Sequence, residues 1–490
     1  MLALIIGFLS FVSPANGSEK NHDVIIVSDS VKRPLKKRTH AEDTTGVFLN
    51  INRIFIIGNR ITRDQIILRE LTLKAGDVIY STEVPGILDL DRKKLINTRL
   101  FNTVAIRVLE LDSTNVDLLV DLNERWYTFP APIFELADRN FNEWWQNYNH
   151  DFRRVNYGLR LYQYNMRGRN ETLRFHAQIG FQRKFELHYR FPYIDKRQKH
   201  GLSTEFTYQE TKNLAIRTDD HKYTFLKFND LLRTDKVAAL TYTYRKSFYK
   251  THSVKYEFRR TEIADTVKAL NPNYIKGETR KELRYNYITY QFNADHRDFI
   301  AYPLKGFHLQ ANFTRTGLIA SDDVKKWEGH FTYSNYLELG KKFFLSNNAT
   351  VYASTPNDLS YVNYGVLGLR RQFVRGYEVY VIEGQHFFLN KTTFKKLIFS
   401  NTYHWGLMPI EQFRHIPLAI YLKTYFDIGA VENYPDYEAA NINTRLSDKL
   451  LSGAGFGVDV VGSYDIVLRF EYTFNAEGER GFFFHLRREF

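Results

Sequence analysis

Ile466-Val467-Leu468-Arg469-Phe470-Glu471-Tyr472-Thr473-Phe474 carries its apolar and aromatic residues at every second position. Arg469, Glu471 and Thr473 fill the places between. A period of two is the mark of a strand with one apolar and one polar face. Outward from this stretch the same pattern recurs. Leu173-Arg174-Phe175-His176-Ala177-Gln178-Ile179 has it, and so does Phe185-Glu186-Leu187-His188-Tyr189-Arg190-Phe191. Segments 202–208, 238–244, 254–258 and 307–313 repeat it. Everything from residue 128 to 490 therefore reads as antiparallel β structure.

A soluble sandwich and a membrane barrel both give this signature. The apolar face here is dense in aromatics, as the interfacial girdles of a barrel require. The opposite face carries many Arg, Lys, Glu and His, which suits a wet lumen. The 490 residues include 33 Tyr and 39 Phe but only 3 Met, and the mean hydropathy is −0.41. No run beyond residue 20 is long and apolar enough for a membrane helix. The reading is a mostly β chain whose 128–490 segment is a transmembrane antiparallel barrel. Its length accommodates about 16 strands of roughly 10 residues, plus turns and loops.

Before the barrel lies a smaller unit, 47–127. An apolar strand ends at Gly58-Asn59. Thr62 stands as an N-cap with Gln65 three residues on, a capping-box pattern, and Gly76 marks the stop. A second helix covers 85–98, then strands begin at Leu100 and Val116. The order is β-α-α-β-β. Residues 2–12, LALIIGFLSFV, followed by small residues, read as a signal peptide over 1–17, and 18–46 as a flexible linker containing the basic run 32–38. The aromatic cluster Trp126, Tyr127, Phe129 and the pair Trp144-Trp145 read as a periplasm-side belt.

Several runs resemble a known family. Ile54-Phe55-Ile56-Ile57-Gly58-Asn59, Ile67-Leu68-Arg69-Glu70-Leu71, Gly76-Asp77 and Leu100-Phe101-Asn102-Thr103-Val104 are together similar to a POTRA domain. Phe373-Val374-Arg375-Gly376-Tyr377 resembles the VRGF/Y motif of BamA/TamA-type outer-membrane assembly proteins. Tyr425-Phe426-Asp427-Ile428-Gly429 and Gly453-Ala454-Gly455-Phe456-Gly457 resemble that family's later barrel strands. Phe191-Pro192-Tyr193-Ile194-Asp195 and Asp295-His296-Arg297-Asp298 resemble its hairpins. The last strand, with Phe484, Leu486 and terminal Phe490, resembles a C-terminal barrel-insertion signal. The chain departs from the essential assembly protein in having one POTRA.

The resemblance implies that Val374, Arg375, Gly376 and Tyr377 form the tip of a loop folded into the lumen, with Arg375 held by an acidic wall residue. Alternation turns Asp427 inward with Tyr421, Lys423 and Tyr425, which makes it the expected partner. The resemblance also implies an outer membrane of a Gram-negative bacterium, with the POTRA in the periplasm. Partners would be the lipid bilayer, unfolded client proteins met by the POTRA, and accessory lipoproteins. The function implied is insertion or translocation of client proteins. The alternatives are a dedicated two-partner-type secretion pore and a passive porin-like barrel.

Other classes lack support. Cysteine is absent, which excludes disulfides, Cys-ligated metals and a thiol nucleophile. There is no HExxH, GxSxG or GxxxxGK[ST]. The formal charge of +13 comes from dispersed residues with no nucleic-acid module. No catalysis, metal, cofactor or nucleic-acid partner is expected.

Overall fold

The structure, a computed structural model, describes residues 46–136, 152, 155–228, 230–368 and 372–488. The segments expected to be a signal peptide (1–17) and, apart from residue 46, a linker (18–46) lie outside the described residues, as do Trp144-Trp145 and Phe490.

The first unit runs β1 (Phe48–Ile57), α1 (Asp64–Glu70), β2 (Val78–Tyr80), α2 (Val84–Asn97), β3 (Phe101–Glu110), β4 (Asn115–Glu124). Sheet order is β2-β1-β4-β3. β1 and β4 are parallel, so the chain between them must cross over, and the two helices lie on that crossover. Ile51, Ile54, Ile66, Ile67, Leu95, Leu118 and Val120 are buried in one core. Two local expectations are corrected. A fourth, short strand, β2, separates the helices. Its three residues are too few to show a period, and their partner is supplied by β1. Nor does Thr62 cap α1. The cap position is Arg63, without a side-chain bond, because the Thr62 hydroxyl is engaged by Tyr127 at 3.1 Å and Asn165 at 2.8 Å.

Sixteen strands form the second unit, a single antiparallel sheet in barrel-like arrangement. They begin with β5 (Thr128–Leu136), β6 (Val155–Met166), β7 (Glu171–Gly180), β8 (Lys184–Phe191) and β9 (His200–Thr211). A satellite hairpin follows, β10 (Asn213–Asp219) and β11 (Lys222–Lys227). The wall resumes with β12 (Arg233–Arg245), β13 (Lys250–Ile263), β14 (Glu282–Asp295), β15 (Gly306–Thr316), β16 (Lys326–Gly340) and β17 (Phe343–Thr355). Two short strands, β18 (Val366–Leu367) and β19 (Ile382–Glu383), lie inside the next loop. The wall ends with β20 (His386–His404), β21 (His415–Glu432), β22 (Leu451–Val461), β23 (Ile466–Asn475) and β24 (Arg480–Arg488). Among the described residues, β5 and β24 each pair on one side only.

Alternation sorts the two faces. Phe206, Phe313, Phe426, Phe456 and Phe484 are exposed on the outside, and so many exposed rings in one band require an apolar surrounding. Glu257, Lys423, Asp427, Asp459 and Glu471 are buried on the inside. No described helix is long and apolar enough to cross a membrane.

The two units are joined at one rim. Arg245, at the end of β12, donates to both oxygens of Glu70 at 2.9 and 2.7 Å. Arg125 donates to both oxygens of Asp465, in the β22–β23 turn, at 2.9 and 3.2 Å. Asn97 donates to the Asp298 carbonyl at 2.9 Å and accepts from the Ile300 amide. Tyr193, from the β8–β9 turn, enters the core of the first unit. Tyr127 is buried in that core and donates to the Leu100 carbonyl at 2.8 Å, and the Trp126 amide bonds the Tyr464 hydroxyl. Trp126 and Tyr127 therefore work at the junction and not as a lipid belt.

Candidate functional site: a loop clasped in the lumen

The loop between β17 and β20 turns back into the barrel. Its tip is Val374-Arg375-Gly376-Tyr377. Gly376 has φ +98°, the left-handed region that a side chain disfavours. Val374 and Tyr377 are buried with Leu367, Leu389 and Leu451. The wall is shaped to receive the tip. A Cβ on Gly453 would stand 1.8 Å from the Arg375 carbonyl, and one on Gly429 would stand 2.7 Å from Val374 Cγ2. Glycine at 453 is thus a requirement of the backbone's close approach, and glycine at 429 makes room for the Val374 side chain.

Arg375 lies with its guanidinium fork on Asp427. Nε reaches Oδ2 at 2.8 Å and the second nitrogen reaches Oδ1 at 2.6 Å. The Arg375 amide also donates to Asp427 at 3.1 Å. The plane stacks on Tyr425, 3.8 Å from its centroid, and one nitrogen donates to Thr393 at 3.0 Å. Such a fork matches a carboxylate in both distance and plane.

A wider network surrounds this pair. Arg375 also lies 3.5 Å from Glu471. Lys423 bridges Glu471 at 2.8 Å and Asp459 at 2.5 Å. Arg469 donates to Asp459 at 3.0 Å. Tyr302, from the β14–β15 turn, donates to the other Asp459 oxygen at 2.9 Å. Three cations thus meet three carboxylates, all well buried. A charge buried without a partner costs several kcal/mol, whereas a balanced and hydrogen-bonded set is tolerated. Next to the network is a lumen cavity of about 810 Å³. A second cavity, about 580 Å³, opens between the small domain and the barrel.

At the far rim the loops bond to one another. Glu383 of β19 accepts from Thr218 of β10 at 2.8 Å and from Tyr437 at 2.6 Å. The His221 amide donates to Asn443, and His221 Nε2 accepts from the Leu446 amide at 2.8 Å. Lys276 is ion-paired to Asp358 and Asp436. These contacts tie four loops into one cap.

The structure brings Arg375 and Asp427 together. It places Phe484 on the outer face and Leu486 in β24 beside Leu468. Sequence reasoning missed Lys423, Asp459, Arg469, Glu471 and Tyr302 as a set. Alternation puts four of these on the inner face. Only the register, which sets Asp459 opposite Tyr421 and Arg469, brings them together. Among the described residues no group of His, Asp or Glu is arranged to hold a metal ion.

With this geometry in place the comparisons are informative. Residues 165–490 match the Omp85 superfamily domain. The chain belongs to the Omp85 superfamily. Residues 49–125 match the POTRA family, described as a surface antigen variable number repeat. The solved structure of CdiB from Escherichia coli is similar at a TM-score of 0.51 and 11% identity, over 90% of this chain and 74% of that one. BamA from Haemophilus ducreyi, lacking POTRA domains 1–3, gives 0.49 and 14% over 89% and 84%. CdiB from Acinetobacter baumannii gives 0.45 and 15% over 90% and 74%. No curated protein matches the chain in sequence. This Omp85 member thus has one POTRA domain and a 16-stranded barrel, with the VRGY tip clasped in its lumen.

Proposed function

We propose that this protein inserts other proteins into an outer membrane, with its POTRA domain on the periplasmic side and 1–17 as the leader that directs export. The observation that carries the reading is the occupied lumen. The β17–β20 loop is clamped by Asp427, and the far rim is covered by bonded loops. A passive pore gains nothing from that arrangement, since the loop and cap obstruct the path a solute would take. The POTRA domain is fixed over the opposite rim by two bidentate ion pairs. A client held there would lie beside the wall strands, and those strands are the surface on which a new barrel can be paired and passed to lipid. No step of this kind needs a catalytic residue or a cofactor.

The test is depletion of the protein in its host, followed by quantification of the outer-membrane proteome. Broad loss of barrel proteins is the expected result. Loss of a single secreted protein with the other barrels intact would make this a dedicated secretion pore and overturn the reading.

A further inference from the structure

The β20–β21 hairpin runs on beyond the strands that flank it in the wall. β17 pairs with β20 only as far as Lys396, with one further bond from the Leu397 amide to Lys342. β22 pairs with β21 only from Ala419 onward. Between these limits the hairpin continues alone through His404 and back from His415. On the β20 side, at about 3.4 Å per residue, it projects roughly 20–25 Å past its pairing with β17. It projects on the POTRA side, where the Gln412 carbonyl accepts from Asn102 of β3 at 3.0 Å and from Tyr464 at 3.3 Å.

A free hairpin has two edges, and these two differ. The β21 edge carries Pro417, which has no amide to offer. It is also flanked by the β22–β23 turn, where Ser463 reaches the His415 carbonyl and Tyr464 packs on Phe413 at 4.8 Å. The β20 edge, Ile398-Phe399-Ser400-Asn401-Thr402-Tyr403-His404, has neither proline nor lysine, the usual guards of an exposed edge. Its direction can be worked out. The Trp405 amide bonds Arg414 across the hairpin. Hydrogen-bonded and non-bonded pairs alternate in an antiparallel ladder, so Tyr403 and Asn401 also point their amides to β21. Ser400, Thr402 and His404 then point theirs outward. The Leu397 amide, which faces Lys342, agrees once the bulge between Leu397 and Phe399 is counted. The Thr402 amide is met only by the neighbouring Asn401 side chain at 2.8 Å, a local bond that an incoming carbonyl can replace. Ser400 and His404 have no backbone partner on that side among the described residues. The flanking face is apolar, with Phe399, Tyr403 and Trp405 exposed.

We propose that the Ile398–His404 edge receives an extended segment of another polypeptide as an added antiparallel or parallel strand. An unguarded row of outward amides and carbonyls at a 3.4 Å repeat is satisfied by a backbone of the same repeat, which selects a strand over a helix or a headgroup. The exposed rings select a segment that alternates apolar and polar residues, laying its apolar side against Phe399 and Tyr403. This inference rests on the assembly reading only for where such a strand comes from; the edge itself is independent of it.

The test uses the full chain in nanodiscs of phosphatidylethanolamine and phosphatidylglycerol. The probe is a fluorescein-labelled nine-residue peptide alternating valine and threonine. A second copy of it is N-methylated at alternate amides. Saturable binding by anisotropy is expected, with slowed amide exchange over 398–404. The N-methylated peptide and the Ser400→Pro variant are each expected to bind at least tenfold more weakly, and Ser400→Ala to bind as the parent does. Amide protection at Asn401 and Tyr403 reports that the hairpin of Ser400→Pro is intact; if it is not, the N-methylated peptide alone decides. Equal binding of the two peptides, or no protection at 398–404, overturns the proposal. So does protection that appears on moving the chain from detergent to nanodisc without peptide, since lipid then covers the edge. Depletion that leaves the outer-membrane proteome intact would defeat the assembly reading without touching this result.

Discussion

Arg375 is where the lumen's charge balance is most exposed to a single change. Arg375→Ala would leave Asp427 buried without its fork and Glu471 with one cation fewer. Removing one partner of a buried ion pair costs about 3–5 kcal/mol. The expected result is a lowered unfolding temperature of the detergent-solubilised barrel, read by its heat-dependent mobility on gels. Arg375→Lys should recover part of this loss, because charge remains while the two-point geometry does not. An unchanged transition in Arg375→Ala would show that the loop is held by its apolar contacts alone. A complementary test is steric. Gly453→Ala places a methyl against the Arg375 carbonyl, and overpacking of this kind costs about 1–3 kcal/mol. At this scale the sequence was readable in part. Alternation along β21 sends Asp427 inward, and the VRGY resemblance supplies Arg375. Asp459 and Lys423 are on the same inner face but lie on different strands. Their meeting depends on register, and a shift of one residue would move every one of them to the lipid side.

At the scale of elements, the cap at the far rim is held by a group whose protonation changes near neutral pH. Burial pushes the Glu383 carboxyl up to about 7, and the hydroxyls of Tyr437 and Thr218 offset only part of that effect. The folded cap thus binds this proton more tightly than the open chain, where a glutamate titrates near 4.3. The stabilising contribution is complete below that lower value. It declines as pH rises and is lost above about 7. Once the intrinsic pH dependence of amide exchange is divided out, protection of the β10–β11 hairpin is expected to be greater at pH 5 than at pH 8. Glu383→Gln, which keeps an uncharged acceptor in place, should flatten that dependence. A pH-independent protection factor in the parent protein would exclude Glu383 as the controlling group. The strands that bear the cap were legible from their period. The cap was not, because its contacts run between segments far apart in the chain, such as Thr218 and Glu383. The POTRA unit shows the same limit on a smaller scale. Its helices announce themselves by apolar spacing, while three-residue β2 exists only through its pairing with β1.

For the whole molecule the question is whether POTRA and barrel act as one body. The contact between them is made of few but directed bonds. Glu70 is the central one. Its burial would raise its carboxyl pKa, but the hydrogen bonds and charges of Arg245 and Arg69 outweigh this and hold it below the usual range. Arg125 and Asp465 form the second anchor, and Tyr193 inserts from the barrel into the POTRA core. Truncating one member of such a desolvated pair costs about 2–5 kcal/mol. A loss of that size at each anchor is comparable to what holds a modest interdomain interface in one orientation. Arg245→Ala combined with Arg125→Ala should therefore release the POTRA domain while leaving both domains folded, since neither arginine belongs to a hydrophobic core. Distances between spin labels on α2 and on the β16–β17 turn, measured in nanodiscs, are expected to change from a narrow to a broad distribution. If function requires a client to be delivered from the POTRA domain to the wall, assembly should fall in the same variant although the barrel's unfolding temperature is unchanged. A broad distribution with full assembly would mean that the docked orientation is a resting state, and that delivery depends on tethering alone.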